Sequence, residues 1–363
     1  PDANFEQALI DLGIDSDGTI NQSVATSDIS GITSLYVSNK NINDLTGIED
    51  FSSLNILFFT KNQITTLDLS QNTALTNLNC SNNQLTNLDI SQNTALTHLT
   101  CGKNQLTDLD VSQNTVLTWL SCTENQLAEL DLTHNTVLTD LHCYVNQLTY
   151  LDLSQNTALT GLYCYNNQLT NLDLSYNPFL THVLCQNNQL KSIDISQNTA
   201  LMYLFCYNNQ LTNLDLTQNI ALHHFRCWDN QLISLDVTQN ISLMNLECSN
   251  NPLKNLDVTQ NTILYSLTCT DNQLTNLDVT QNTGLVNLDC RTNQLTSLDL
   301  YQNTNLDQLN CNENQLANLD VTQNPSLTVL TCQYNQLTNL VLTQNPNLYL
   351  IRCMYNQLSR LDM

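Results

Sequence analysis

From Cys80 to Cys353 a cysteine recurs every 21 residues, fourteen times without an exception. A period that strict constrains the fold more than any local propensity does. A repeat of this length cannot bury its own apolar face, so successive repeats must stack and share one continuous core. Counted from Leu54, fourteen full repeats of 21 residues run to Asn347, and a truncated repeat occupies 348–363. One 22-residue repeat, 32–53, comes first, and residues 1–31 form a cap. The array, 32–363, is expected to be one domain.

One repeat reads Leu75-Thr-Asn-Leu78-Asn-Cys80-Ser-Asn-Asn83-Gln-Leu85-Thr-Asn-Leu88-Asp89-Ile90-Ser-Gln-Asn93-Thr94-Ala95. Leu78 and Cys80 alternate with outward residues, as a short strand requires. The stretch from Leu85 to Thr94 is too short and too β-branched for a helix and is predicted to be extended. Stacked strands would then form a parallel sheet with a spacing of about 4.8 Å. This pattern, Leu-x-x-Leu-x-Cys-x-x-Asn-x-Leu closed by a shorter Leu-x-x-Leu-Asp half, resembles the bacterial leucine-rich repeat proteins with a cysteine ladder, internalins among them. The cap, with Asp15-Ser16-Asp17-Gly18-Thr19-Ile20, is similar to the starts of secreted leucine-rich proteins of Bacteroidetes. The resemblance implies a right-handed leucine-rich repeat solenoid, α/β by convention but mostly β here, with a concave parallel sheet and extended convex segments. It also implies a bacterial, secreted or cell-surface setting and protein receptors bound on the concave face.

Two asparagine columns are expected to hold the corners. Asn83 and its equivalents would bond the backbone of their own and the next turn, and the Asn93 column would do the same at the second corner. Pro178, Pro325 and Pro346 share a column in which no amide donor is needed. In the cap, Asn4 and Gln7 suit a capping box. Phe5, Leu9 and Leu12 make one helical face, and Gly13 ends the helix. The array stops in mid-repeat at Leu361-Asp362-Met363, so the natural chain is expected to continue.

Charge is low in density and one-sided: 33 acidic residues against 9 basic, a net −24, with only 12% of residues charged. Such a field argues against nucleic acid and anionic membrane surfaces as partners, and no apolar run reaches the length of a membrane span. Fourteen of the acids are one repeated letter, Asp68 and its equivalents through Asp320 plus Asp362, broken by Val341. Neighbouring carboxylates about 5 Å apart repel by roughly 0.8 kcal/mol in bulk water before screening. Two arrangements would relieve this. Each carboxylate could accept backbone or Ser/Thr donors in the adjacent turn, or calcium or sodium could sit between members such as Asp89, Asp110, Asp131 and Asp152. Asp15 and Asp17 in the cap form a weaker calcium candidate. The cysteines occupy a core position that Val37 and Phe59 fill in the first two repeats, which reads as a reduced structural ladder. Metal ligation would need clusters such as Cys-x-x-Cys, and the spacing supplies none.

Diversity between repeats gathers at positions 2, 3, 5, 7 and 8, which point out of the concave face. Twelve of the fifteen Tyr and Trp residues lie there, where chance would place about four, as do five of six histidines. The densest run is Trp119, His142, Tyr144, Tyr163, Tyr165, His182, Tyr203, Phe205, Tyr207, His224, Arg226 and Trp228. Exposed aromatic patches mark binding surfaces, although Tyr144, Tyr165, Tyr207 and Trp228 share a column and could equally stack to stabilise the sheet. A smaller group, Tyr334, Tyr349, Arg352, Met354 and Tyr355, is expected to pack against sequence beyond the truncated repeat. His223 and His224 with Asp229 are the one residual metal candidate among the histidines. No nucleophile arrangement or phosphate loop is present, so no enzyme is expected. The reading is a monomeric recognition protein that grips a protein or, as the alternative, a glycan; a structural adhesin stalk is the third option.

Overall fold

The computed structural model describes residues 2–362. Helix α1, Ala3–Asp11, opens the cap, and its N-cap is Asp2, whose carboxylate accepts from the amides of Asn4 and Phe5. The expected Asn4/Gln7 box is therefore not used: Gln7 reaches forward to Asp11 instead. Leu12 also departs from expectation. Phe5, Ala8 and Leu9 are buried, but Leu12 is the C-cap and exposed. Gly13 does end the helix, at φ +69°, a conformation cheap only for glycine. Glu6, fully buried, is satisfied by the amides of Asn21 and Gln22.

The chain divides into two compact units, Pro1–Phe179 and Leu180–Met363. In the first, three-residue strands run from Ser34–Tyr36 to Gly161–Tyr163, each paired in parallel with the next. Register is strict: Leu57, Leu78, Leu99, Leu120, Leu141 and Leu162 face one another in sequence. The second unit repeats this from His182–Leu184 to Leu350–Arg352. It adds one short parallel pair, Asn339–Val341 with Arg360–Asp362, on the segment opposite the main sheet. Among the described residues the array carries no α-helix, so the opposite side is extended as the short, β-branched segments predict. Each unit is thus a parallel solenoid of the leucine-rich repeat class.

Six apolar side chains per turn fill the core: in one repeat Leu75, Leu78, Cys80, Leu85, Leu88 and Ile90, all nearly inaccessible. Full burial of such a side chain contributes about 1.5–3 kcal/mol. The backbone between them is satisfied by the asparagines, but by reaching to the preceding turn rather than the next. Asn83 donates to the carbonyls of Phe59 and Cys80, and its Oδ1 accepts from the amide of Ile64. The second column works differently from the first. Asn93 donates to Leu69 and Asn72, and its Oδ1 makes no hydrogen bond.

Position 8 carries a constraint that sequence patterning did not reveal. Every residue there, from Lys61 to Tyr355, sits at a φ between +50° and +58°. The strand has ended and the chain must turn the corner in the left-handed region, which suits Asn and Asp best among residues with a Cβ. Asn82, Asn166, Asn187, Asn208 and Asn250 follow that preference; Val145, at φ 56°, does not. Val145 is exposed, so Val145→Asn removes strain without opening a cavity. It is expected to stabilise the chain by about 1 kcal/mol, read as a rise in melting temperature.

All fourteen cysteines are free, thirteen buried and Cys353 half-buried. Burial pushes the thiols of Cys80, Cys122, Cys185 and Cys248 up to about 12. The thiolate is the nucleophile, so the buried ladder should be inert. A thiol titration on the native protein is expected to detect Cys353 alone, and all fourteen groups after denaturation. Rapid native reaction of several thiols would contradict a sealed core.

Candidate binding face

Two surfaces carry chemistry, the aspartate column and the concave aromatic residues. Each column aspartate turns back on its own turn rather than the adjacent one. Asp89 Oδ1 accepts from the amide of Ser91 at 3.0 Å, and Asp110 and Asp152 accept from Ser112 and Ser154. Asp131 takes both the amide and hydroxyl of Thr133, at 2.9 and 2.7 Å. These are Asx turns, which a carboxylate makes with the backbone two residues on. The backbone amides, with the Ser/Thr hydroxyls, hold these carboxyls below their ordinary value of 3.8 despite repulsion from neighbours. In the cap, Asp15 accepts from the Asp17 amide, and Asp17 from Thr19 and Asn21. Among the described residues no three His, Cys, Asp or Glu side chains converge as metal ligands, His223, His224 and Asp229 included.

The twelve residues of the densest run are half-buried rather than exposed. In the first unit Trp119 meets His142 with ring centroids 4.6 Å apart, tilted by 33°. His142 lies flat on Tyr163 at 4.1 Å and 8°. Position 3 supplies Trp119 and position 5 the other two, so this stack crosses columns. Gly161 makes the crossing feasible, since a Cβ there would lie 2.8 Å from Asp140 Oδ1 and 3.1 Å from the Tyr163 ring. Burial lowers the His142 pKa, opposed by the Asp140 carboxylate, and the same burial raises that of Tyr163. In the next column Tyr144 stacks on Tyr165 at 4.3 Å and 7°.

The rest of the densest run, in the second unit, falls into three further groupings. His182, Tyr203 and His224 form a three-ring stack, with centroids 4.4 and 4.7 Å apart. Burial, His223 and Arg226 keep the His224 pKa low. Arg226 lies over the Phe205 ring at 4.6 Å and its Nε bonds Glu247 Oε1 at 3.0 Å. Tyr207 and Trp228 stack at 4.1 Å and 11°. Gln186, at position 7 two turns before Trp228, is buried.

All twelve residues singled out by composition therefore fall into ordered groups, within one unit or the other. Three partners were not legible beforehand: Asp140, Gly161 and Glu247 matter through contacts that only the register creates. The arrangement restricts what the face can do. Rings stacked at about 4 Å cover one another's faces and present their edges, phenol hydroxyls and ring N–H groups outward. His142 and Tyr203 each lie between two rings, whereas the outer face of Trp228 borders Ser249.

No protein-family model and no curated protein sequence matches the chain. Solved structures do. The LIC12759 leucine-rich repeat protein of Leptospira interrogans is 24% identical, with a TM-score of 0.76 over 87% of this chain and 93% of that one. The Arabidopsis receptor kinase HAESA, solved with the peptide hormone IDA and the co-receptor SERK1, is 20% identical, with a TM-score of 0.69 over 93% of this chain and 68% of that one. Both show the fold alone. The functional domain of InlJ from Listeria monocytogenes, which includes a cysteine ladder, is 40% identical, with a TM-score of 0.87 over 93% of this chain and 75% of that one. With that identity and the same ladder, the chain belongs to the leucine-rich repeat family of cysteine-ladder internalins.

Proposed function

We propose that the concave aromatic stacks bind a protein partner, and that the chain is a secreted or surface-displayed bacterial recognition protein. The observation that carries this reading is the covering of ring faces. A sugar stacks on an open aromatic face, whereas a polypeptide can use edges and polar tips, as Tyr- and Trp-rich interfaces do. Membership of the internalin-like family supports surface recognition rather than catalysis. HAESA illustrates a repeat array solved with a peptide ligand. Among the described residues no helix is long and apolar enough to cross a membrane. The test is a parallel screen of the folded protein against a displayed 12-residue peptide library and a glycan array. Enriched peptides and a blank array are expected; glycan binding without peptide enrichment would favour the carbohydrate alternative.

We infer also that the aspartate column is structural and needs no calcium, because each member's Oδ1 is engaged in its own turn. A chelator is expected to leave the melting temperature unchanged. A fall of several degrees, restored by added calcium, would give the column to the ion.

A further inference from the structure

Position 2 of the repeat has a structural letter that part of the second unit abandons. From Thr76 onward in the first unit it is threonine, and the hydroxyl bonds the carbonyl of the preceding threonine: Thr97 to Thr76, Thr118 to Thr97, Thr139 to Thr118, at 3.0–3.1 Å. From Met202 the column becomes Met202, His223, Met244, Tyr265 and Val286. The sheet does not need the change, since the Met202 carbonyl still accepts the amides of His223 and His224. In the same turns the corner just before the strand changes too. Six of the fourteen full repeats carry Thr-Ala or Thr-Val there, whereas Ile220 and Ile241 stand in place of the threonine and Ile263 in place of the residue after it. The three isoleucines are 59%, 60% and 51% exposed, and Met244 and Tyr265 39% and 47%.

Position 2 and the two-residue corner before it thus carry exposed apolar side chains at Ile220, Ile241, Met244, Ile263 and Tyr265 over consecutive turns, with the half-buried His223 among them. Strict register places equivalents beside one another, so the residues form one lateral row outside the aromatic stacks. Folding gains nothing from exposed isoleucine, and contiguous apolar surface marks a docking site. The same turns carry acid: Asp215, Asp236 and Asp257, all exposed, precede the isoleucines by five or six residues. Residues 201–290 hold eight acidic side chains and two basic ones, of which Arg226 is already paired with Glu247.

We propose that this lateral row docks a cationic amphipathic segment, with apolar side chains seated on Ile220, Ile241, Ile263, Met244 and Tyr265 and Lys or Arg facing the aspartate column. Charge complementarity selects that occupant over a neutral or acidic one. Four strand spacings, from Met202 to Val286, span roughly 19 Å, the length of about 13 helical residues. The site is separate from the concave stacks and does not depend on their role.

The probe is an 18-residue amphipathic peptide of leucine and lysine, measured by fluorescence anisotropy at low and high salt. Its controls are a leucine–glutamate peptide and a lysine–serine peptide without an apolar face. The native chain is expected to bind the leucine–lysine peptide alone, more weakly at high salt. The variant Ile220→Thr, Ile241→Thr, Tyr265→Thr restores letters used by other repeats, so an unchanged melting temperature is expected with binding weakened at least tenfold. Tyr207→Ala with Trp228→Ala should leave this binding within twofold, which separates failure here from failure of the concave reading. Equal binding of the lysine–serine or leucine–glutamate peptide would overturn the proposal, as would undiminished binding by the threonine variant. A dimer in sedimentation that the threonine variant dissolves would assign the row to a second copy and overturn it likewise.

Discussion

Asn209→Ala is expected to cost about 3–4 kcal/mol, more than any single leucine-to-valine change in the core. The amide group of Asn209 donates to the carbonyls of Cys185, Cys206 and Tyr207 at 3.1–3.3 Å, and its Oδ1 accepts from the buried amide of Leu190 at 3.0 Å. Removing it leaves several backbone groups without partners where water cannot replace them, at about 1–3 kcal/mol for each group left buried. Asn219→Ala, in the second column, should cost less, about 2 kcal/mol, because Asn219 donates to Ile195 and Asn198 but accepts nothing. A repeat array unfolds in pieces, so a single global free energy is the wrong readout. Amide exchange should instead show lost protection concentrated at Leu190 and in the turns either side of Asn209. Equal effects at Asn209 and Asn219 would contradict the division of labour between the columns.

Sequence periodicity revealed which residues face inward, because burial at Leu78, Cys80, Leu88 and Ile90 depends only on alternation within one repeat. It revealed the end of α1 for a similar reason, since a glycine at the C′ position acts locally. It failed wherever a side chain chooses between equivalent neighbours. Periodicity alone does not say whether Asn83 reaches forward or back, or whether Asp89 bonds its own turn or the next. The left-handed corner at position 8 left a trace in its many Asn and Asp residues, but Lys103, Glu124 and Val145 in the same column masked it. The twelve aromatic, His and Arg positions were visible as a statistical excess on one face. Their stacking was not, because a ring can lean across columns, as Trp119 does to reach His142 where Gly161 leaves room for Tyr163.

Tyr207→Ala combined with Trp228→Ala is expected to weaken partner binding by 100-fold or more, the scale of two aromatic hot-spot residues. The pair also stacks at 4.1 Å, so some stability goes with it. Aromatic pairs contribute about 0.5–1.5 kcal/mol beyond their buried area, which predicts a fall of a few degrees in melting temperature. Tyr334 and Tyr355 provide the internal control. They stack with nearly the same geometry, 4.3 Å and 8°, near the other end of the second unit. Tyr334→Ala with Tyr355→Ala removes a comparable stack and should leave binding intact.

The most direct measurement takes the peptides enriched on the native protein and titrates them against the native chain and both double variants. The account predicts at least a 100-fold loss for the Tyr207/Trp228 variant and less than a twofold change for the Tyr334/Tyr355 variant. Undiminished binding without Tyr207 and Trp228, or equal losses in both variants, would contradict a recognition role for the concave stacks.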